Sequence, residues 1–346
     1  MRPYIPLLLA ALLAGCAPAQ PSATAVGTPS AESASATPTP SPAQPARIGL
    51  SYIPNIQFAP FYLAEDDGLF EPDATWATVR HHGAQEGLFT AIAAGQEDFV
   101  IAGGDEALQA REQGIDLVAI ATLYRENPVQ VIVRADGPIT GLADLAGRRI
   151  GVPGRYGTSW FGLLVALRSA GLTEDEVEVV EIGYTQQAAL TTDKVDAVVG
   201  FSNNDLVQFR LAGVDVVGLP VVEDGVVPLA GASLITTRAY LDAHPEVARG
   251  VAQAMVDGVA AVAADPERAL DVAATHVPGL DQGPARSAAR ATLDATVKIM
   301  LTPDGRADGS LDPATWQAMA QFMTAAGLLT TAPDVAAAIA PQVLGS

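Results

Sequence analysis

Residues 47–70, RIGLSYIPNIQFAPFYLAEDDGLF, decide the fold. The run 48–52 reads as a buried strand that Pro54 and Asn55 break. A helix follows, with apolar side chains at Phe58, Phe61, Tyr62 and Leu69 and with Gly68 as its stop. A strand-to-helix turn at the edge of an α/β sheet is a place where ligands sit. The first N–H groups of the helix point there without partners. Tyr52, Asn55, Gln57 and Phe58 put two rings and two amides at that edge, and the stretch reads as one jaw of a ligand cleft. Phe61, Tyr62 and Leu69 fall at helical spacing and read as core.

The second jaw comes from an internal echo about a hundred residues along. GQEDFVIA at 95–102 is answered by DKVDAVVG at 193–200, and QGIDLV at 113–118 by AGVDVV at 212–217. The opening strand and turn return as RIGVPG at 149–154, again before a helix. Short β-rich runs alternate with helix-patterned segments throughout, which argues for parallel sheet and βαβ units. Two similar lobes account for a repeat on this scale, whereas a solenoid would need shorter and more numerous units. The expected class is α/β, with two three-layer αβα lobes joined by a two-strand hinge. Junctions are placed near 135–141 and 224–231. Lobe one then takes residues 47–136 and 228–346, and lobe two takes 137–227. The helices after residue 239 have only lobe one to pack on, so the chain crosses twice, as in a bilobal clamp.

Ahead of this body, Arg2 precedes an apolar run that is too short to span a bilayer as a helix and has the form of a signal peptide, residues 1–15. The run ends in LAGC at 13–16, which resembles the lipobox of bacterial lipoproteins and implies lipidation of Cys16 after cleavage. Cys16 is the only cysteine in the chain, so no disulfide is expected. Residues 16–46, rich in Ala, Pro, Ser and Thr, cannot bury enough apolar surface to order themselves and read as a tether. A net charge of −20 argues against nucleic acid and against electrostatic binding to acidic lipid. Later apolar runs carry charges, which leaves the lipid as the expected membrane anchor.

If the cleft lies at the C-terminal ends of the strands, the turns name its walls. Lobe one offers Tyr52, Asn55, Gln57, Phe58, residues 83–86, Gly104, Asp105, Glu106 and Tyr124. Lobe two offers Tyr156, Gly157, Thr158, Ser159, Trp160, Tyr184, Gln186, Asn203 and Asn204. Aromatic residues make up only 5% of the chain, so their gathering at turns is informative. Several of these residues have a structural alternative. Thr158 or Ser159 can cap a helix, Asp105 and Glu106 can answer a helix dipole, and Trp160 can pack a helix on its sheet.

Other signals are weaker. His81 and His82 are adjacent, so on an extended run their rings point to opposite sides and a shared metal is not expected. DGRADGSLD at 304–312 looks like a calcium loop, but Arg306 and Thr315 fill two ligand positions. A turn leading to a helix capped by Asp312, with Pro313 in its first turn, is the reading preferred there. No phosphate-binding Gly-rich loop is present.

YIPNIQFAPFY at 52–62, with Glu65 and Gly68, resembles the opening of type II periplasmic substrate-binding proteins in the thiamine-pyrimidine-like branch. LADLAGRRIGV at 142–152 is similar to the segment that opens their second lobe, and HPEV at 244–247 to the start of a C-terminal helix. Within that branch, NIQFAP at 55–60 and PGRYGTS at 153–159 look most like the riboflavin-binding members. The resemblance implies a type II periplasmic-binding-protein fold, no catalysis and no cofactor. It implies capture of a flat heteroaromatic vitamin, riboflavin first and formylaminopyrimidine as the alternative, for an ABC permease and its ATPase. The implied form is a monomer outside the cytoplasm, held to the membrane by lipid. Some relatives of the branch are pyrimidine synthases that use a cysteine-rich motif and a pyridoxal cofactor. Here the folded body has no cysteine, and Lys194 and Lys298 are its only lysines. A ligand sensor without transport fits the same residues.

Overall fold

The computed structural model describes residues 45–51, 53–70, 77–82, 86–223 and 227–345. The expected signal peptide, residues 16–44 of the expected tether with Cys16, Tyr52 and residues 83–85 lie outside the described residues, while Ala46, the tether's last residue, opens the first strand. Two five-stranded sheets organise the body. The first contains β1 (Ala46–Leu50), β2 (Ala77–His81), β3 (Phe99–Ala102), β4 (Leu117–Thr122) and, far along the chain, β10 (Ser233–Thr237). The second contains β5 (Val129–Arg134), β6 (Arg149–Val152), β7 (Glu178–Glu181), β8 (Ala197–Phe201) and β9 (Val216–Pro220). Strand order is β2-β1-β3-β10-β4 in one and β7-β6-β8-β5-β9 in the other.

The two orders are the same pattern. β1 pairs in parallel with β2 and β3, as β6 does with β7 and β8. In the fourth place each sheet takes an antiparallel strand, β10 between β3 and β4, and β5 between β8 and β9. Each of these is the first strand after the chain crosses between sheets. The first crossing therefore falls between Thr122 and Val129, one strand ahead of the expected junction near 135–141, because β5 finds its hydrogen-bond partners in the second sheet. The described residues of the two connecting segments, 123–128 and 221–232, form bends and irregular backbone.

The helices are α1 (Ala59–Asp66), α2 (Thr90–Ala93), α3 (Gly104–Glu112), α4 (Gly157–Ser169), α5 (Gln186–Thr191) and α6 (Asp205–Leu211). They continue as α7 (Arg238–Ala243), α8 (Pro245–Ala264), α9 (Pro266–His276), α10 (Gly283–Met300), α11 (Pro313–Ala325) and α12 (Val335–Ala338). One face of the first sheet is covered by α1, α8, α9 and α10, and the other by α3, α11 and α12. In the second sheet α4 packs on one face and α5 and α6 on the other.

Phe61 and Tyr62 of α1 are fully buried, as their spacing predicts, and Leu69 packs against the same core. The Tyr62 ring stacks on His276 with centroids 4.2 Å apart, and its hydroxyl meets His81 Nε2 at 2.8 Å. α1 lies against α8 closely enough that a Cβ on Gly258 would fall 2.1 Å from the Pro60 carbonyl oxygen. By length and composition α8 could cross a membrane, but half of it is buried against the first lobe, as a core helix would be. The loop before α11 is the cap that the sequence suggests. Asp312 accepts from the N–H groups of Ala314 and Thr315, with Pro313 in the first turn.

Candidate ligand-binding site

The C-terminal edges of the two sheets face one cavity of about 410 Å³. That volume lies within the usual range for a small-molecule site. From the first lobe, β1 ends at Leu50 and a 3-10 turn, Ile56–Phe58, follows. Asn55 starts that turn in extended conformation, and its side-chain oxygen accepts from the Gln57 N–H at 3.1 Å. The turn thereby presents Gln57 and Phe58 to the cavity, while Pro60 in the first turn of α1 sends the following rings into the core. The end of β3 adds Ile101, Ala102 and Gly103.

The first connecting segment supplies Leu123, Tyr124, Asn127 and Pro128, and the second supplies Ala232. Asn127 ties the two segments together. Its Nδ2 donates to the Ala230 carbonyl at 3.2 Å, and its Oδ1 accepts from the Val129 N–H at 3.1 Å. From the second lobe come Pro153, Thr158, Ser159, Tyr184, Gln186, Phe201, Asn203, Asn204 and Asp205.

The lobes are bonded to each other on both sides of this space. On one side the Thr158 hydroxyl donates to Asp105 Oδ2 at 2.9 Å. On the other, Asn203 Nδ2 donates to Thr296 Oγ1 at 3.1 Å and Gln208 Nε2 donates to Thr292 Oγ1 at 3.2 Å. Thr292 and Thr296 lie one turn apart on α10 and are both buried.

Burial governs the acids and the phenol here. Burial pushes the Asp105 carboxyl upward against the Glu106 N–H and the Thr158 hydroxyl. Glu106 is raised by burial and then by the charge of Asp105, against the Gly103 N–H. Asp205 is raised by burial, opposed by the Phe201 N–H that donates to it at 2.8 Å. Tyr124 is raised by burial, with the side chains of Asn203 and Gln57 pulling the other way.

Of the residues singled out from the sequence, Gln57, Phe58, Tyr124, Thr158, Ser159, Tyr184, Gln186, Asn203 and Asn204 meet at this cavity. Asn55 is occupied in capping the 3-10 turn. Gly104 packs inward, where a Cβ would come within 2.9 Å of Ala230 and Met319. Asp105 is fully buried at the lobe junction. Glu106, Tyr156 and Gly157 border a separate open groove with Leu88, Phe89 and Gln109. Trp160 is buried in the core, with the Arg155 guanidinium 4.9 Å from its ring centre. Successive helical residues turn by about 100°, so 157–160 cannot all face one cleft.

Asn127 and Pro128 were not foreseen, because the first crossing was placed one strand too late for its connector to read as cleft wall, and Ala232 was not foreseen either. The turn-forming pair Asn127-Pro128 is the signal that would have marked the first crossing.

His82, Glu86 and Glu97 bring their ligand atoms within 4.8 Å of one another. Arg80 already bonds both carboxylates, and His82 Nε2 contacts Glu97 at 2.9 Å, so all three side chains are engaged with one another or with that guanidinium. His81 turns the other way, to Tyr62. Lys194 and Lys298 are exposed, and neither borders the cavity.

The family model described as NMT1/THI5 like matches residues 55–269, and the chain belongs to that family. Family and fold together make it a substrate-binding protein of the type II periplasmic-binding-protein architecture. Among known proteins the chain is similar to the riboflavin-binding protein RibY of Chloroflexus aurantiacus, 32% identical over 95% of this chain and 93% of that protein. It is also similar to the formylaminopyrimidine-binding protein of Halalkalibacterium halodurans, 23% identical over 80% of this chain and 83% of that protein. Its fold matches the periplasmic aliphatic sulphonate binding protein SsuA from Escherichia coli. The TM-score there is 0.66, with 18% identity over 85% of this chain and 91% of that one.

Proposed function

We propose that this chain captures a flat heteroaromatic vitamin, riboflavin, in the interlobe cavity and delivers it to an ABC permease and its ATPase outside the cytoplasm. The observation that carries this reading is a cavity of about 410 Å³ lined by Phe58, Tyr124, Tyr184 and Phe201 together with Gln57, Gln186, Asn203 and Asn204. Rings on the walls suit a planar ligand, and amides and hydroxyls suit its ring heteroatoms and polyol tail. The similarity to RibY over nearly the whole chain supports the same ligand. Formylaminopyrimidine is the second reading, supported by the more distant similarity to its binding protein. A single pyrimidine ring would leave much of this cavity unfilled, which favours the three-ring ligand.

Residues from both lobes line the cavity, so ligand contacts favour the closed arrangement and offer a permease a form distinct from the open one. In this reading a lipid on Cys16 and the tether of residues 16–46 hold a monomeric body at the membrane. The test is a competition in which riboflavin fluorescence is followed as ligand-stripped protein is added and formylaminopyrimidine is then titrated in. Quenching by the protein that the pyrimidine reverses only at large excess supports riboflavin. Absent quenching, with direct binding of the pyrimidine, transfers the assignment to the second ligand.

A further inference from the structure

Asn203 is 1% exposed and borders the cavity, and the two ends of its amide have different fates. Its Nδ2 donates to Thr296 Oγ1 at 3.1 Å. Thr296 gives its single hydroxyl proton to the Thr292 carbonyl oxygen at 2.7 Å, so toward Asn203 it can only accept. The network therefore fixes which end of the amide is which: NH2 faces α10, and Oδ1 faces elsewhere. That Oδ1 is sealed from solvent and has no hydrogen-bond partner among the described residues. A buried acceptor left this way is destabilising until a donor reaches it; the Asn203 side chain also lies beside the Tyr124 phenol, and both residues border the cavity.

We propose that Asn203 Oδ1 is the acceptor for an N–H on the edge of the ligand's ring, oriented from the opposite lobe by Thr296. The inference rests on the reading of the cavity as a heteroaromatic site and adds the chemistry by which that site selects. It takes flat rings that carry an imide, lactam or exocyclic amine N–H, and it discriminates against the same ring with that hydrogen replaced. The amide belongs to the second lobe and its anchor to the first. Selection and closure are therefore coupled through one side chain, because Oδ1 is held in place only while Thr296 is within reach.

The experiment compares riboflavin with riboflavin methylated at the ring imide nitrogen, by equilibrium titration of ligand-stripped protein. The unsubstituted chain is expected to bind riboflavin at least about tenfold more tightly than the methylated form, as for a buried acceptor deprived of its donor. Asn203→Leu should bind both weakly, with a ratio within about twofold. Thr296→Val, which leaves Asn203 in place, should lower the ratio, and Thr296→Ser should restore it. Equal binding of both ligands by the unsubstituted chain overturns the proposal, as does a ratio that survives in Asn203→Leu or is untouched by Thr296→Val. If riboflavin does not bind but the aminopyrimidine does, the flavin assignment fails on its own. The same ratio, taken between the amine and its dimethylamino analogue, then decides the role of Asn203. Binding of neither parent ligand overturns both.

Discussion

Arg47 and Arg149 occupy the same station in their two lobes. Each lies at the start of a strand, Arg47 second in β1 and Arg149 first in β6, and donates through its backbone N–H and its guanidinium to an aspartate ahead of the next parallel neighbour, Asp98 or Asp196. Each aspartate returns a backbone N–H to the carbonyl of its arginine, at 2.9 Å and 2.8 Å. Each guanidinium also reaches the carbonyl of the turn before that aspartate, at Gly95 or Asp193. The frames thus agree residue for residue at this corner, while the opposite ends of the same strands differ. β3 runs into Gly103, the buried Asp105 and the half-buried Glu106, whereas β8 runs into Asn203, Asn204 and Asp205. The N-terminal ends of the strands tie each sheet to itself, and the C-terminal ends, where the lobes diverge, line the cavity.

The largest effect that separates frame from site is expected at Trp160. It is buried away from the cavity, so Trp160→Ala should destabilise the protein by about 3 kcal/mol in a urea titration. Its riboflavin affinity should remain unchanged. A large loss of affinity with full stability would move Trp160 from frame to site. Tyr124→Ala should do the reverse, weakening ligand binding by about tenfold, on the order of 1–2 kcal/mol for a lost ring contact, with a smaller effect on the unfolding midpoint.

A pH effect should follow from the first lobe's acids. Asp105 and Glu106 both have carboxyls raised above their ordinary range by burial, so the folded protein holds protons that the unfolded chain has released. Stability from this pair is present at low pH and falls as pH rises from the ordinary carboxylate range through the raised values. The melting midpoint should therefore fall from mildly acidic to neutral pH, after allowance for the other carboxylates. Glu106→Gln, which removes the charge beside Asp105, should flatten that slope, and an unchanged slope would show that the pair is not its source. The smallest effects belong to the repeated corner. Arg47→Ala and Arg149→Ala should lower the midpoint slightly and by similar amounts, since both guanidinium groups are partly solvated. A shift in one lobe alone would break the equivalence of the frames.

The equivalence was legible in the sequence because strand ends repeat as spelling. GQEDFVIA and DKVDAVVG place Asp98 and Asp196 at matching positions, and β3 and β8 hold matching places in their sheets. The owner of β5 was not legible. VQVIVR alternates as a half-buried strand would in either lobe, and only its antiparallel pairing with β8 and β9 assigns it. Half the candidate residues named from strand ends gather at the cavity, because a strand's C-terminal edge is a place that the pattern can find. Rotation carries others elsewhere. Around the start of α4 the helix turns Thr158 and Ser159 toward the cavity, Tyr156 and Gly157 toward a separate groove and Trp160 into the core. Sequence adjacency at a turn does not carry that information.

The central claim is that one flat ligand occupies the space between the lobes and is held by residues of both. Isothermal titration of ligand-stripped protein with riboflavin at several temperatures tests it most directly. The account predicts one site per chain and a negative heat-capacity change from burial of an apolar ring system. It also predicts that Tyr124→Ala weakens that same site. The absence of binding heat at every temperature, or binding that Tyr124→Ala leaves untouched, would contradict it.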